Sequence, residues 1–363
     1  MNPEDHRYLQ RCITLARMGT SAVFPNPQVG AVIVHNGQII GEGYHQRHGE
    51  PHAEVFAIRS VVDHSLLPES TMYVSLEPCS HYGKTPPCSE LICKHKLKRV
   101  VVGCLDPNPK VSGRGIKMMR EGGVQVELAD DPAPFQQVNR AFITNQVHRR
   151  PYITLKWAET QDGFIAQVDD MGQPRQAAIT GRESREFVHQ LRASHHAILV
   201  GTETALVDDP RLDNRHFPGQ SPTRILLDRN GRLPKSLKAF TDGNPTILLT
   251  ERTERHFPTN VQLATPPNWE DWMSTWTYLY QSFSLSSILI EGGAQILQQI
   301  LRQGAYDQTY QLVAEKGFGA GIAAPTLPTD LAMQPIGQLG PDTCFHGELR
   351  PLSQLLHPES PSE

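Results

Sequence analysis

Long apolar runs are missing from this 363-residue chain, and no stretch approaches the roughly 20 apolar residues of a membrane-spanning helix. Its start, Met1-Asn2-Pro3-Glu4-Asp5-His6, has no basic segment leading into an apolar core, so no secretory signal is expected. The expected compartment is the cytoplasm, with no membrane partner. Cysteine is sparse. Six in a chain this long do not make a disulfide framework. Excess positive charge is missing as well: the net charge is -4. Proteins that grip nucleic acid usually offset phosphate charge with a basic surface, so no nucleic-acid partner is expected. Repeats and low-complexity tracts are absent, and no Gly-x-Gly-x-x-Gly marks a dinucleotide-binding turn. The length suggests two domains.

The first half alternates strand and helix patterns. A helix is predicted over Arg7 to Arg17, then a strand over Val29 to Val34. Asn36-Gly37 is a hairpin turn returning into Ile39-Ile40. Pro51 suits the first turn of a helix running through Val55 to Val62. Strands follow at Met72 to Leu76, Arg99 to Leu105 and Val124 to Leu128, with helices at Ser89 to Lys96 and Phe135 to Ala141. This pattern predicts an α/β sheet with helices against its faces. The prolines at Asp130-Asp131-Pro132-Ala133-Pro134 and Arg149-Arg150-Pro151 break it. We expect a first domain over residues 1–147, a second α/β domain over 151–352 and a frayed tail over 353–363. Strands in the second half are read at Tyr152 to Trp157, Ala197 to Val200, Thr223 to Leu227, Thr246 to Leu249 and Ile288 to Ile290.

Chemistry concentrates in His52-Ala53-Glu54, Pro78-Cys79 and Pro87-Cys88. One imidazole and two thiolates are three ligands for Zn2+, which leaves the fourth tetrahedral position for water. Glu54 is placed to move protons rather than bind metal. This is the H-x-E…P-C…C pattern of the zinc deaminases. A closed structural site would need a fourth ligand, for which His81 and His45 are the nearby candidates. Cys79 and Cys88 stand nine positions apart, wider than the common Cys-x-x-Cys, so the segment between them must loop out. Lys84 in that segment is a point charge suited to a phosphate. Asn26, between Pro25 and Pro27, offers a donor and an acceptor to a pyrimidine edge, and His45 is a further candidate for the pocket. On an ideal helix, positions two apart do not share a face. His52 and Glu54 can therefore meet one cavity only if it abuts the helix's first turn.

Together these segments resemble the bifunctional riboflavin-biosynthesis deaminase/reductase family. The matching stretches are Pro25 to Gly30, Gly41 to Glu54, Leu76 to Cys88, Asp106-Pro107-Asn108-Pro109 and Gly113-Arg114-Gly115, and the wide cysteine spacing is the family's own. The resemblance continues through nearly the whole chain. It implies a cytidine-deaminase-like three-layer domain followed by a dihydrofolate-reductase-like domain. It also implies one Zn2+ held by His52, Cys79 and Cys88, with Glu54 as proton donor, deaminating a phosphorylated diaminopyrimidine. The second domain would then use NADPH to reduce the ribosyl group to ribityl. Arg192, Leu212, Arg215 and Glu291 fall on the family's substrate positions. Ala158, Thr204, Asp208, Gly293, Ala294, Gln295, Ile296, Leu297, Gln298 and Gln299 fall on its NADP positions. Read from the residues alone, Ser287 to Ala294 is a strand entering a Gly-Gly turn and a helix, a weak phosphate signal. Two segments depart from the family: Gln176-Ala177-Ala178, where a serine and a tryptophan are usual, and Glu315-Lys316-Gly317. A homo-oligomer is expected. The competing readings are a zinc deaminase of another nucleobase or of tRNA, and a second domain without catalysis.

Overall fold

The computed structural model describes residues 1–82, 86–108 and 111–349. Lys84 and the tail over 353–363 lie outside them. The chain divides into two compact units, Met1–His148 and a second beginning at Arg149.

The first unit runs α1 (Pro3–Ala16), β1 (Gly30–His35), β2 (Gln38–Tyr44), α2 (Ala53–Ser60), β3 (Thr71–Val74), α3 (Cys88–Lys94), β4 (Arg99–Val102), α4 (Arg114–Glu121), β5 (Gln125–Leu128), α5 (Ala133–Val138) and α6 (Arg140–His148). The strands form one sheet in the order β2-β1-β3-β4-β5. β1 is antiparallel to β2 and β3, whereas β3, β4 and β5 are parallel. Helices cover both faces, and two glycines show how closely. A Cβ on Gly30 would lie 2.2 Å from the Cys12 carbonyl of α1, and one on Gly43 would lie 2.5 Å from Phe56 of α2. Gly30 and Gly43 point to opposite faces, because Gly43 pairs with Ala31 and side chains alternate along a strand. The result is three layers, helix–sheet–helix, with Cys12, Ala31, Ile33, Met72 and Val100 fully buried among them.

Three local readings need correction. α1 begins at Pro3 rather than Arg7, because Asn2 and Asp5 form a reciprocal capping box with proline in the first turn. The expected helix over 135–141 is two helices. Asn139 interrupts it and turns its amide onto Gln28, accepting from the backbone N–H at 2.8 Å and donating to the carbonyl at 3.0 Å. α4 was not expected at all. It starts after Gly113, whose φ of +79° suits glycine.

The second unit contains β6 (Tyr152–Thr160), β7 (Phe164–Val168), β8 (Pro174–Arg175), α7 (Arg182–Ser194), β9 (Ala197–Val200), α8 (Thr202–Asp208), β10 (Thr223–Leu227), α9 (Lys238–Thr241), β11 (Thr246–Leu249), β12 (Val261–Ala264), α10 (Trp272–Phe283), β13 (Ser287–Glu291), α11 (Ala294–Gln303), β14 (Gln308–Ala314), β15 (Ile322–Ala323), β16 (Gln334–Leu339) and β17 (Asp342–Glu348). Nine strands form a sheet in the order β12-β11-β10-β9-β13-β6-β14-β17-β16, parallel from β12 to β14 and antiparallel beyond. Its central strands are apolar on both faces, as a doubly covered parallel sheet requires. Leu199, Ile225 and Ile290 pack with Trp276 and Leu297 on one side; Ile198, Leu226 and Leu289 pack with Leu191 and Phe240 on the other. The edge strand β16 is nearly all exposed, so no apolar period announced it.

Asp5 ties the first unit together. Its carboxylate accepts from Arg99 Nη1 and Nη2 at 2.7 and 3.0 Å and from the Tyr73 hydroxyl at 2.8 Å, joining α1 to β3 and β4. The Arg99 hydrogen bonds draw the Asp5 pKa from 3.8 down to about 2, against the cost of burial. Because the folded value is the lower one, this stabilisation is present above pH 4 and is lost as pH falls toward 2. Asp5→Asn should therefore lower stability near neutrality by about 2 kcal/mol, the loss of a charge-assisted hydrogen bond, since Arg99 keeps its second pair with Glu127. It should also flatten the acid limb in urea unfolding series taken at stepped pH. An unchanged midpoint and limb would refute this account.

Candidate active sites

His52 directly precedes α2 in extended conformation (φ -75°, ψ 168°), so its ring is not bound to the helical spacing. Glu54 lies in the first turn and is buried. That placement resolves the two-residue spacing, since the cavity does abut the helix start. Cys79 sits in the loop after β3, and Cys88 is the first residue of α3, with Pro87 before it. The backbone N–H of Cys88 donates to Cys79 Sγ at 3.3 Å, and Ser89 Oγ donates to the Cys79 carbonyl at 2.8 Å. Cys79 is thereby tied to the start of α3.

The ligand atoms of His52, Cys79 and Cys88 lie within 4.8 Å of one another. Zinc bonds of about 2.3 Å to sulfur and 2.0–2.1 Å to nitrogen place nitrogen and sulfur about 3.6 Å apart on a tetrahedron. His52 Nδ1 is 3.6 Å from Cys79 Sγ and 3.5 Å from Cys88 Sγ. The residues present therefore fit zinc. The Cys88 thiol and the His52 ring favour the Cys79 thiolate, while the hydrogen bond to Cys79 and burial push the Cys88 thiol up, so without a metal the pair holds one proton between its two sulfurs. Burial, reinforced by the nearby Cys79 sulfur, pushes Glu54 up to about 7, where a carboxyl can both give and take a proton.

His52, Glu54 and Cys79 line a cavity of about 290 Å³, with Asn26, His45 and Phe142 among its other walls. Asn26 Nδ2 lies 3.1 Å from His45 Nε2, and His45 Nδ1 lies 3.0 Å from the Pro51 carbonyl. Sequence reasoning missed Asp106, Asn108, Phe142 and Gln146, which also line it. It missed Glu77 too. This buried carboxylate accepts backbone N–H groups of Asp106 (3.2 Å), Gly113 (2.9 Å), Gly115 (2.9 Å) and Ile116 (3.4 Å). It ties Asp106, at the cavity, to the start of α4. Position in the Glu-Pro-Cys run was the one available signal.

In the second unit a cavity of about 750 Å³ brings together Arg192, Asp208, Leu212 and Arg215, and Gln176-Ala177-Ala178 forms part of its wall. Arg192 and Glu291 make a two-point pair (Nε–Oε1 2.7 Å, Nη2–Oε2 2.9 Å), and Lys156 Nζ is 3.6 Å from Glu291 Oε2. Burial opposes ionisation of Glu291, yet Arg192 and then Lys156 outweigh it and draw the pKa down to about 2. Burial also lowers the Lys156 pKa. Lys156 carried no signal in the sequence. Arg192 Nη1 donates to the Asp213 carbonyl at 3.1 Å, and Arg215 pairs with the Asp213 side chain.

Gly292 and Gly293 have φ of +96° and +85°, and a Cβ on Gly293 would lie 3.5 Å from Thr204 Oγ1. Thr204 thus borders the turn that opens α11. Along α11, Ala294 is half-buried, Gln295 and Gln299 are exposed, and Ile296 packs over Gly201. Leu297 is spent in the core, and Gln298 clamps the backbone of Thr326. Ala158 lies on β6 opposite Leu312 and does not line the 750 Å³ cavity. The two segments that depart from the family pattern touch each other, because Lys316 Nζ donates to the Ala178 carbonyl.

Comparison with known proteins supplies the family. The profile of the RibD C-terminal domain matches residues 151–344, and that of the cytidine and deoxycytidylate deaminase zinc-binding region matches residues 2–104. Riboflavin biosynthesis protein RibD of Aquifex aeolicus is 36% identical over 88% of this chain and 89% of its own length. The Escherichia coli RibD is 34% identical over 94% of this chain and 99% of its own. The chain belongs to the RibD riboflavin-biosynthesis family. A solved structure from Thermotoga maritima, a diaminohydroxyphosphoribosylaminopyrimidine deaminase/5-amino-6-(5-phosphoribosylamino)uracil reductase, superposes with a TM-score of 0.86 at 34% identity. It covers 95% of this chain and 98% of its own. The first unit is accordingly cytidine-deaminase-like and the second is the reductase with a dihydrofolate-reductase-like fold. The protein is a bifunctional enzyme, deaminase and reductase, with zinc and NADPH as cofactors and a small phosphorylated pyrimidine as substrate. Among the described residues no helix is long and apolar enough to cross a membrane.

Elemental analysis of purified protein should find one zinc per chain. Cys88→Ser and His52→Ala should each reduce it below a tenth, and Glu54→Gln should leave it at one. Full zinc in Cys88→Ser would remove that sulfur from the ligand set.

Proposed function

We propose that His52, Cys79 and Cys88 hold the zinc and that Glu54 is the proton shuttle in deamination of 2,5-diamino-6-ribosylamino-4(3H)-pyrimidinone 5′-phosphate. The observation that carries this reading is the tetrahedral spacing of the three ligand atoms beside a buried Glu54. Zinc, when bound, supplies a Lewis acid that makes water nucleophilic near neutrality. Glu54 takes a proton from the attacking water and delivers it to the departing amino nitrogen. Water oxygen thereby replaces the 2-amino group and ammonia leaves. Its pKa near 7 suits both halves of that transfer. Asn26 bonds the pyrimidine, and Lys84 remains our candidate for the phosphate.

In the reductase, Arg192, Leu212, Arg215 and Glu291 take the deaminated product. NADPH, when bound, would supply a hydride to C1′ of the ring-opened ribosyl group, and a proton from solvent would complete the ribityl chain. Ala158, Thr204, Asp208 and the stretch from Gly293 to Gln299 are proposed to seat NADPH. Free N–H groups at the start of α11 suit its phosphates. Arg192 is held by Glu291 at two points and by the Asp213 carbonyl, whereas Arg215 pairs with the Asp213 side chain alone and is half exposed at the cavity, so we take Arg215 as the phosphate grip.

We place the enzyme in the cytoplasm, where its free cysteines stay reduced. We also propose a homo-oligomer. β7 reads Phe-Ile-Ala-Gln-Val and every residue in it is only half-buried, a strand face suited to a partner.

Glu54→Gln should lower ammonia release at least 100-fold, within the usual range for a lost acid–base group. It should leave NADPH oxidation on the deaminated product near normal. Arg215→Met should raise the KM for that product about 10-fold, one broken charge-assisted contact, with the KM for NADPH within about twofold. Ammonia released from cytidine or tRNA, but not from the phosphorylated diaminopyrimidine, would overturn the assignment.

A further inference from the structure

His45 lines the deaminase cavity but is only 2% exposed. Both of its ring nitrogens are occupied. Nδ1 faces the Pro51 carbonyl at 3.0 Å. A carbonyl can only accept, so Nδ1 carries the ring proton. Nε2 of the neutral ring is then an acceptor, and the group 3.1 Å away is the amide of Asn26. An amide facing an acceptor must present its nitrogen. That choice settles the other side: the oxygen of Asn26 is turned away from His45.

The anchoring on each side is firm. The backbone N–H of His45 donates to the Val29 carbonyl at 2.9 Å, and that of Asn26 donates to the Val23 carbonyl at 2.9 Å. The next residue but one, Gln28, is held by the buried Asn139. Pro51, which fixes the ring proton, is the residue before His52, and the two histidine rings meet edge to face at 5.5 Å. One run of contacts therefore links the metal-ligand segment to the Asn26 turn.

We propose that His45 is a positioning residue of the deaminase: by accepting an N–H of Asn26 it presents the Asn26 oxygen to the cavity as an acceptor for a ring N–H or amino group of the pyrimidine. This rests on the deaminase reading of the first unit. It separates His45 from direct substrate contact, since neither ring nitrogen is left for the substrate. A substrate edge bearing acceptors at the Asn26 position would meet oxygen against lone pair and bind poorly.

A double-mutant cycle tests it, read as kcat and KM for ammonia release, with zinc content and NADPH oxidation by the same preparations as controls. Asn26→Ala and His45→Leu should each raise KM about 10-fold with zinc at one per chain. The double variant should be no worse than the poorer single, because both remove one unit. His45→Gln, whose carbonyl can take the Asn26 N–H, should recover at least a third of the lost kcat/KM. Multiplying losses in the double variant would show that His45 acts independently of Asn26 and would overturn the proposal. So would zinc loss in both His45 variants, or a His45→Gln as impaired as His45→Leu. Wild-type ammonia release with one zinc per chain checks the deaminase reading separately, so the two failures are distinguishable.

Discussion

The His52 ring and the Cys79 and Cys88 sulfurs, from three separate segments, come within 4.8 Å of one another at a spacing that fits three corners of one tetrahedron, and most of the first unit answers to that constraint. α2 has to start immediately after His52, so that the ring leaves the chain from extended backbone while Glu54 turns inward. α3 has to start at Cys88, whose N–H reaches back to the Cys79 sulfur. The loop from β3 must release Cys79 at the same level. Glu77, two residues earlier, collects four backbone N–H groups and fixes the opposite wall. A carboxylate gains more from such neutral donors than it loses on burial only when all are aligned, which makes the wall an all-or-none feature.

The second unit is organised by buried charge instead. Arg192 near the end of α7, Glu291 at the end of β13 and Lys156 midway along β6 sit together, with an excess of one positive charge. Such a cluster adds little to stability, because desolvation offsets attraction. Its effect is electrostatic: a preorganised cationic excess beside the 750 Å³ cavity that Arg192 lines. The Gly292-Gly293 turn at the end of β13 places the start of α11 close by.

Legibility in the sequence followed the strength of the local signal. Strands β9, β10, β11 and β13 were readable because a parallel sheet buried on both faces leaves continuous apolar runs. β16 was not, since its residues are solvated and its pairing with β17 is fixed by tertiary register. α1 was legible as a helix but not at its start, where an Asn2–Asp5 capping box decides the boundary. The break at Asn139 was invisible, because its cause is Gln28, more than a hundred positions away. In the site, His52, Cys79 and Cys88 were legible from residue type and spacing. Phe142 and Gln146 were not, since each is an ordinary residue until the fold brings it to the cavity, and Asp106 stood in a family-matching stretch without an assigned role.

By itself the amino-acid order determined which atoms are capable of the chemistry: one imidazole, two thiols and a carboxyl two places on, with a family likeness over nearly the whole chain. These are properties of residue type and short spacing, which survive without knowing the fold. Tertiary structure alone decided their protonation and direction. Burial beside a sulfur raises Glu54, a carbonyl chooses the His45 tautomer, and that tautomer turns the Asn26 amide. Solvation and hydrogen-bond direction depend on what surrounds a group in space, and a linear order of residues does not contain that.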